Sequence, residues 1–276
     1  MQEEITHENH LTPKIRLIRR VNSSILLLLA FGIAFLSFQI VTAFVAARFD
    51  VFRKLRFDDI LYVGLYSRNW TKMNVMFTFL TGSLGCLLAA IVFYVLQRSF
   101  RRRKGVMKKF FFYLALSYYT IFAGLVIMIP YMRYRGFGVI TRYLYWDNYT
   151  QLMISVGAIL VLPLFAGIIL SLPFVQLSPT KQNIQTTSSV TNYYIDQLII
   201  PWLVISLVIL FAFQRMDFLY RLIYICTMGL TCVIAGLFSY RIKIISLVKE
   251  PPQRTIEWKF MLVFLAIAAF CFFLMN

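Results

Sequence analysis

The chain has 276 residues, 60% of them hydrophobic and 27 of them Phe, with 28 Lys and Arg against 11 Asp and Glu and a mean hydropathy of +0.74. A soluble domain of this size has no core large enough to hide that much apolar surface, so an aqueous globular protein is excluded. The net charge of +17 lies within a few residues of the apolar runs, which points to anionic headgroups and away from nucleic acid.

Seven apolar runs of roughly twenty residues or more follow one another, and each is long enough to cross the hydrocarbon core. They cover residues 21–47, 73–96, 110–131, 151–176, 195–213, 218–239 and 258–275. The expected fold is therefore all-α, a polytopic transmembrane helix bundle of about seven spans. Six is the alternative, because the fifth and seventh runs are the shortest and Pro201 stands near the start of the fifth. A polar and basic tail at 1–20 precedes a single transmembrane domain at 21–275, with interfacial loops at 48–72 and 132–150.

The tail carries His7 and His10 beside Glu3, Glu4 and Glu8. A solvated tail explains these better than a weak metal site, and neither a metal nor a cofactor is expected. The first run, about 27 residues, is too long for the 7–15 residue core of a signal peptide and reads as a retained helix. After it, FDVFRKLRFDDILYVGLYSRNW sets Phe49, Phe52, Leu55, Phe57 and Ile60 against Arg53, Arg56 and Asp59 at roughly helical spacing. The expectation is an amphipathic helix lying in the interface.

The second run holds TGSLG, with Gly82 and Gly85 on a face made for close helix approach, and the sixth offers Gly229 and Gly236 in the same way. Such faces usually mean packing within the bundle, with a dimer interface as the alternative. Between the second and third runs, RSFRRRKGVMKK presents Arg101, Arg102 and Arg103. The next loop places Arg133, Arg135 and Arg142 among Tyr131, Tyr134, Tyr143, Tyr145, Trp146 and Tyr149. Arginine grips phosphate or carboxylate with two donors at once, so these six arginines are the candidate contacts for anions or lipid headgroups. Against that stands the ordinary aromatic belt with snorkelling arginines.

Pro163 and Pro173 should bend the fourth run, and the carbonyls they free need partners. Asp196, Asp217 and Arg221 fall at run ends and read as interfacial groups, with Asp217 and Arg221 suited to the start of a helix. Cys86, Cys226, Cys232 and Cys271 lie inside runs and behave as small hydrophobes. Counted by alternate loops, 17 of the 28 basic residues fall on the side of the N-terminus, which places that terminus in the cytoplasm. The expected location is a bacterial cytoplasmic membrane.

The stretch FLTGSLGCLLAAIVFYVLQRSFRRRKGVMKKFFFYLALSYYTIFAGLVIMI, followed by RYRGFGVITRYL and LIIPWLVISLVILF, resembles the scaffold of bacterial site-2-protease-like membrane proteins. That family implies a zinc bound by HExxH, with a later Asp ligand. Gln39, Ile40 and Ala43 stand where the motif belongs, and Arg135 and Gly136 where the acid belongs, so the resemblance implies a relative without catalysis. No catalytic residue is assigned. The expected function is a subunit or an assembly or permease-like component of a membrane complex, with a membrane-protein partner or a second copy of itself. The alternatives are a transporter of a small hydrophobic or anionic substrate, and an enzyme acting on a lipid-linked phosphate at the outer face through Arg133, Arg135, Arg142, Asp147 and Asp59.

Overall fold

The computed structural model describes residues 13–55, 60–62, 68–99, 106–131, 136–178, 187–213, 216–240, 242, 256–263 and 265–266. The elements are α1 (Pro13–Arg48), β1 (Phe52–Leu55), β2 (Ile60–Tyr62), α2 (Lys72–Ser99), α3 (Val106–Ile127), α4 (Gly136–Tyr143), α5 (Asn148–Val175), α6 (Thr187–Tyr194), a π-helical turn at Ile195–Ile199, α7 (Ile200–Ala212) and α8 (Phe218–Ser239). Among the described residues, six helices are long and apolar enough to span a bilayer: α1, α2, α3, α5, α8 and the continuous Val190–Ala212. The chain is an integral membrane protein. Of the seventh predicted span, residues 258–263 are helical and most of the remainder lies outside the described residues.

α1 begins at Pro13, so the last eight residues of the predicted tail belong to the first helix. Proline suits that position because its missing N–H has no intrahelical partner there. At 36 residues the helix is about 54 Å long, well beyond the ~30 Å hydrocarbon core. Its first turns therefore project past the membrane, where Arg16, Arg19 and Arg20 sit.

α3 is the inner helix, packed on α1, α2, α5 and α8, while α7 lies against α1 and α8. Lipid replaces water around the outer helices, so their exposed Leu, Ile, Val and Phe need no cover. Helix contacts are made where small residues allow them. A side chain at Gly82 would overlap the Thr42 hydroxyl and press on Phe38 of α1. Gly229 lies under Trp202 and Gly236 under Tyr194, so these glycines of the sixth run pack within the bundle as expected. Gly85, by contrast, faces open space.

The loop at 48–72 corrects the expectation of an interfacial helix. Phe52–Leu55 and Ile60–Tyr62 pair as an antiparallel ribbon, with Phe52 opposite Tyr62 and Leu55 opposite Ile60 and an irregularity between Phe52 and Lys54. The aromatics that fit a helical spacing are instead fixed by tertiary contact. Tyr62 meets Trp70 and Phe79 edge-on, and Trp70 stacks on Phe79 with centroids 5.9 Å apart. Val51, Val75, Val139 and Ile140 complete this small core, which joins α2, α4 and the ribbon at the Arg142 end of the bundle.

Two carbonyls beside the prolines of α5 receive side-chain donors, although the carbonyls that the missing N–H groups free are those of Ile159 and Ile169, four residues back. Tyr119 donates its hydroxyl to the Leu162 carbonyl beside Pro163 at 2.8 Å, and Gln97 Nε2 donates to the Pro173 carbonyl at 3.4 Å. Pro201 has no N–H to offer the Gln197 carbonyl four residues back. The turn before it widens into the π-helix, and Tyr113 donates its hydroxyl to that carbonyl at 2.7 Å. Tyr113→Phe is expected to cost about 1–2 kcal/mol, because it takes a hydrogen bond from a buried carbonyl. Pro201→Ala supplies an N–H four residues on. Thermal unfolding in detergent should therefore show a smaller Tyr113→Phe penalty in the Pro201→Ala background, and equal penalties would refute the assignment.

Candidate functional site

Two polar constellations stand at opposite ends of the bundle. At the N-terminal end of α1, Arg16 and Arg20 are one turn apart, and the π-turn swings Asp196 toward them. Arg20 Nε donates to Asp196 Oδ1 at 2.7 Å and Arg16 Nε to Asp196 Oδ2 at 3.2 Å. Arg16 Nη2 donates to Asn192 Oδ1 at 3.0 Å, and Arg19 lies 4.0 Å from Asp196 with its guanidinium over the Tyr193 ring. Ser23 donates to Gln197 Oε1 at 2.8 Å.

Asp196 is fully buried in the protein although it stands at the end of a run. The extra residue per turn of the π-helix turns it inward, where α1 supplies the compensating cations. Nearby at the same end, Lys108 Nζ donates to the Gln176 carbonyl at the C-terminus of α5 at 2.6 Å, a cation at the negative end of a helix dipole. Asn22 Oδ1 accepts the Glu257 backbone N–H, tying the segment at 256–263 to α1. These contacts hold helices together. They form a fastening.

The opposite end holds a cavity of about 610 Å³. Its walls come from the end of α3 (Ile129, Pro130, Tyr131), from α4 (Gly138, Arg142), from the following turn (Tyr145, Trp146) and from the start of α5 (Asn148, Gln151, Leu152). The turn that shapes its rim is a helix stop of the Schellman kind: Trp146 N–H donates to the Thr141 carbonyl and Tyr145 N–H to the Arg142 carbonyl. Glycine is the usual residue at the left-handed position of such a stop. Here it is Tyr145, at φ 56°, a backbone state that costs an L-residue about 1–2 kcal/mol. The strain holds an 84% exposed phenol ring at the mouth of the cavity, with the Lys72 ammonium 5.5 Å from its centroid. Strained residues of this kind concentrate at binding sites.

Asp147 starts α5. It accepts from the Thr150 hydroxyl at 2.5 Å and from the Thr150 N–H at 2.9 Å, and these bonds hold its carboxyl below the ordinary carboxylate range. Gln151 donates to the Trp146 carbonyl at 2.9 Å, which fixes the turn against α5. Among the described residues, the chemistry of the cavity is thus one guanidinium, two amides and an aromatic rim.

Of the six arginines predicted to contact anions, Arg142 lines the cavity, while Arg101, Arg102, Arg103, Arg133 and Arg135 lie outside the described residues, as do Asp59, His7, His10 and Cys271. Arg221 does not pair with Asp217. It reaches back to donate to the Leu210 carbonyl near the end of α7 at 2.6 Å, because the last carbonyls of that helix lack helical partners. Gln39 and Ala43 are buried and Ile40 faces outward, and among the described residues Gln39 Oε1 has no hydrogen-bond partner. No group of three metal-ligating side chains occurs among the described residues.

No protein-family model, curated protein or solved structure matches this chain. The residues themselves therefore carry the functional reading. Reasoning from sequence missed the buried Asp196, although the signal is present: Arg16 and Arg20, like Asn192 and Asp196, are spaced i, i+4 and share a helix face.

Proposed function

We propose that the chain is a non-enzymatic component of a membrane complex that recognises an anionic group at its outer face. The basic bias puts the Arg16 end in the cytoplasm and the Arg142 cavity on the opposite side. The observation that carries this reading is how the acids nearest the two constellations are used. Asp196 is bound by arginines and Asp147 caps α5, so each holds its proton-accepting oxygens in structural bonds. What faces the cavity is a cation with amide donors and aromatic walls. That arrangement grips phosphate or carboxylate, and among the described residues lining the cavity none is a carboxylate or histidine that could serve as a general base.

Titration of the purified protein with inorganic phosphate in mild detergent tests the recognition. Saturable binding is expected, weakened about tenfold by Arg142→Ala, the loss of one charge-assisted contact. Phosphate release from a lipid-linked phosphate would support the enzyme reading instead. For the complex, purification from native membranes after crosslinking should retain a partner membrane protein in constant ratio. A lone stable monomer would overturn that part.

A further inference from the structure

The cavity is not closed toward the lipid. α2 and α5 both pack on α3, from different sides, and leave between them a face of α3 made of Tyr119, Phe122 and Val126, ending at Pro130. These residues are spaced three and four apart, so they form one stripe, and each is only half-buried. Phe122 meets Phe137 of α4 edge-on, and Tyr119 reaches α5 through its bond to the Leu162 carbonyl, so a wall stands on each side of the stripe. Pro130, at its end, is part of the cavity lining.

The stripe is confined to one half of the bilayer. From Tyr119 to the end of α3 at Ile127 the helical rise is about 12 Å, within the ~15 Å depth of a single leaflet. In the other half the same face of α3 is covered: Phe112, Ala115 and Leu116 are buried, and Gln97 of α2 donates to the Pro173 carbonyl of α5. A long apolar occupant therefore ends at mid-membrane. Its other end meets Arg142, Asn148 and Gln151.

An apolar channel one leaflet deep, opening into a cationic pocket at headgroup level, complements one chemistry. We propose that this is a seat for a single anionic phospholipid of the outer leaflet, its phosphate on Arg142 and one acyl chain along Tyr119, Phe122 and Val126. The proposal rests on the recognition of an anion at Arg142 and names the molecule that brings it. Aromatic rings and a β-branched residue give the chain a rigid wall, and the charge selects the headgroup.

The test uses full-length protein in nanodiscs of phosphatidylcholine containing a trace of phosphatidylglycerol with a photoreactive group midway along one chain. Crosslinks are expected to concentrate on peptides carrying Phe122 and Val126, with a phosphatidylcholine probe giving about tenfold less label. Arg142→Ala should abolish that preference. Val126→Phe, which fills the channel, should cut labelling about fivefold while inorganic phosphate still binds as to the unaltered protein. Phe122→Leu serves as the second channel variant if Val126→Phe lowers the thermal midpoint. Labels scattered over all lipid-facing helices, or equal labelling by the two probes, would overturn the lipid seat. If inorganic phosphate still binds through Arg142 in that case, anion recognition stands without it. If neither probe nor phosphate depends on Arg142, both readings fall.

Discussion

Asp196→Ala is expected to destabilise the folded protein by about 3–5 kcal/mol, the cost of removing one partner from a buried ion cluster. The carboxylate is wholly buried, and it is the acid that Arg16, Arg19 and Arg20 converge on, so its removal leaves three cations facing one another. Arg16 and Arg20 remain 31% and 35% exposed and can turn toward water, which holds the effect to the lower part of that range. Arg19, at 8%, has less freedom and carries most of the penalty. Thermal unfolding in detergent is the measurement, with Asp196→Asn beside it to keep the volume and remove the charge. The two variants should fall together, since the charge rather than the packing is lost. An Asp196→Asn protein as stable as the original would show that the arginines do not need the carboxylate.

Gly82→Ala and Gly85→Ala are expected to diverge although they lie one turn apart on α2. Alanine favours the helix over glycine by up to about 1 kcal/mol at both sites. At Gly82 the new methyl overlaps the Thr42 hydroxyl, which is held on the Phe38 carbonyl at 2.8 Å, and it presses on the Phe38 ring. Thr42 is β-branched and has few other rotamers, so α1 and α2 must separate. The net cost is expected to be about 1–3 kcal/mol, as for other overpacked contacts. Gly85 has nothing within 4 Å of where a Cβ would stand, and its change should be neutral or stabilising. Equal midpoints for the two variants would mean that Gly82 is not the point of closest approach.

The membrane-spanning helices were legible from run length alone, because lipid leaves few other ways to satisfy a backbone through twenty apolar residues. Gly82, Gly229 and Gly236 were legible as contact points because small residues let a neighbour come close, but the same reasoning also chose Gly85, which faces open space. Three features resisted. The ribbon of Phe52–Leu55 and Ile60–Tyr62 was read as a helix since Phe49, Phe52 and Ile60 lie three and eight residues apart, and the choice is made by Trp70 and Phe79, which are distant in sequence. Pro201 was visible as a disturbance in the fifth run, yet the π-turn depends on Tyr113 being available to take the freed carbonyl. Asp196 looked interfacial because run ends usually are, and only the projecting first turns of α1 make a buried position tolerable there. Arg142 was picked out together with five other arginines, and what separates it is the Schellman stop at Tyr145, a conformation that a glycine would have announced and a tyrosine conceals.

The fastening at Asp196 also sets an order of events during biogenesis. Arg16 and Asp196 are 180 residues apart, and Arg20 and Asp196 are 176 apart. At translation rates of 5–20 residues per second, the arginines of α1 wait roughly 10 to 40 s before their carboxylate is made. Through that interval the arginines lack the carboxylate they bind in the folded protein, so the contact between α1 and the π-turn forms only after the fifth span has been made.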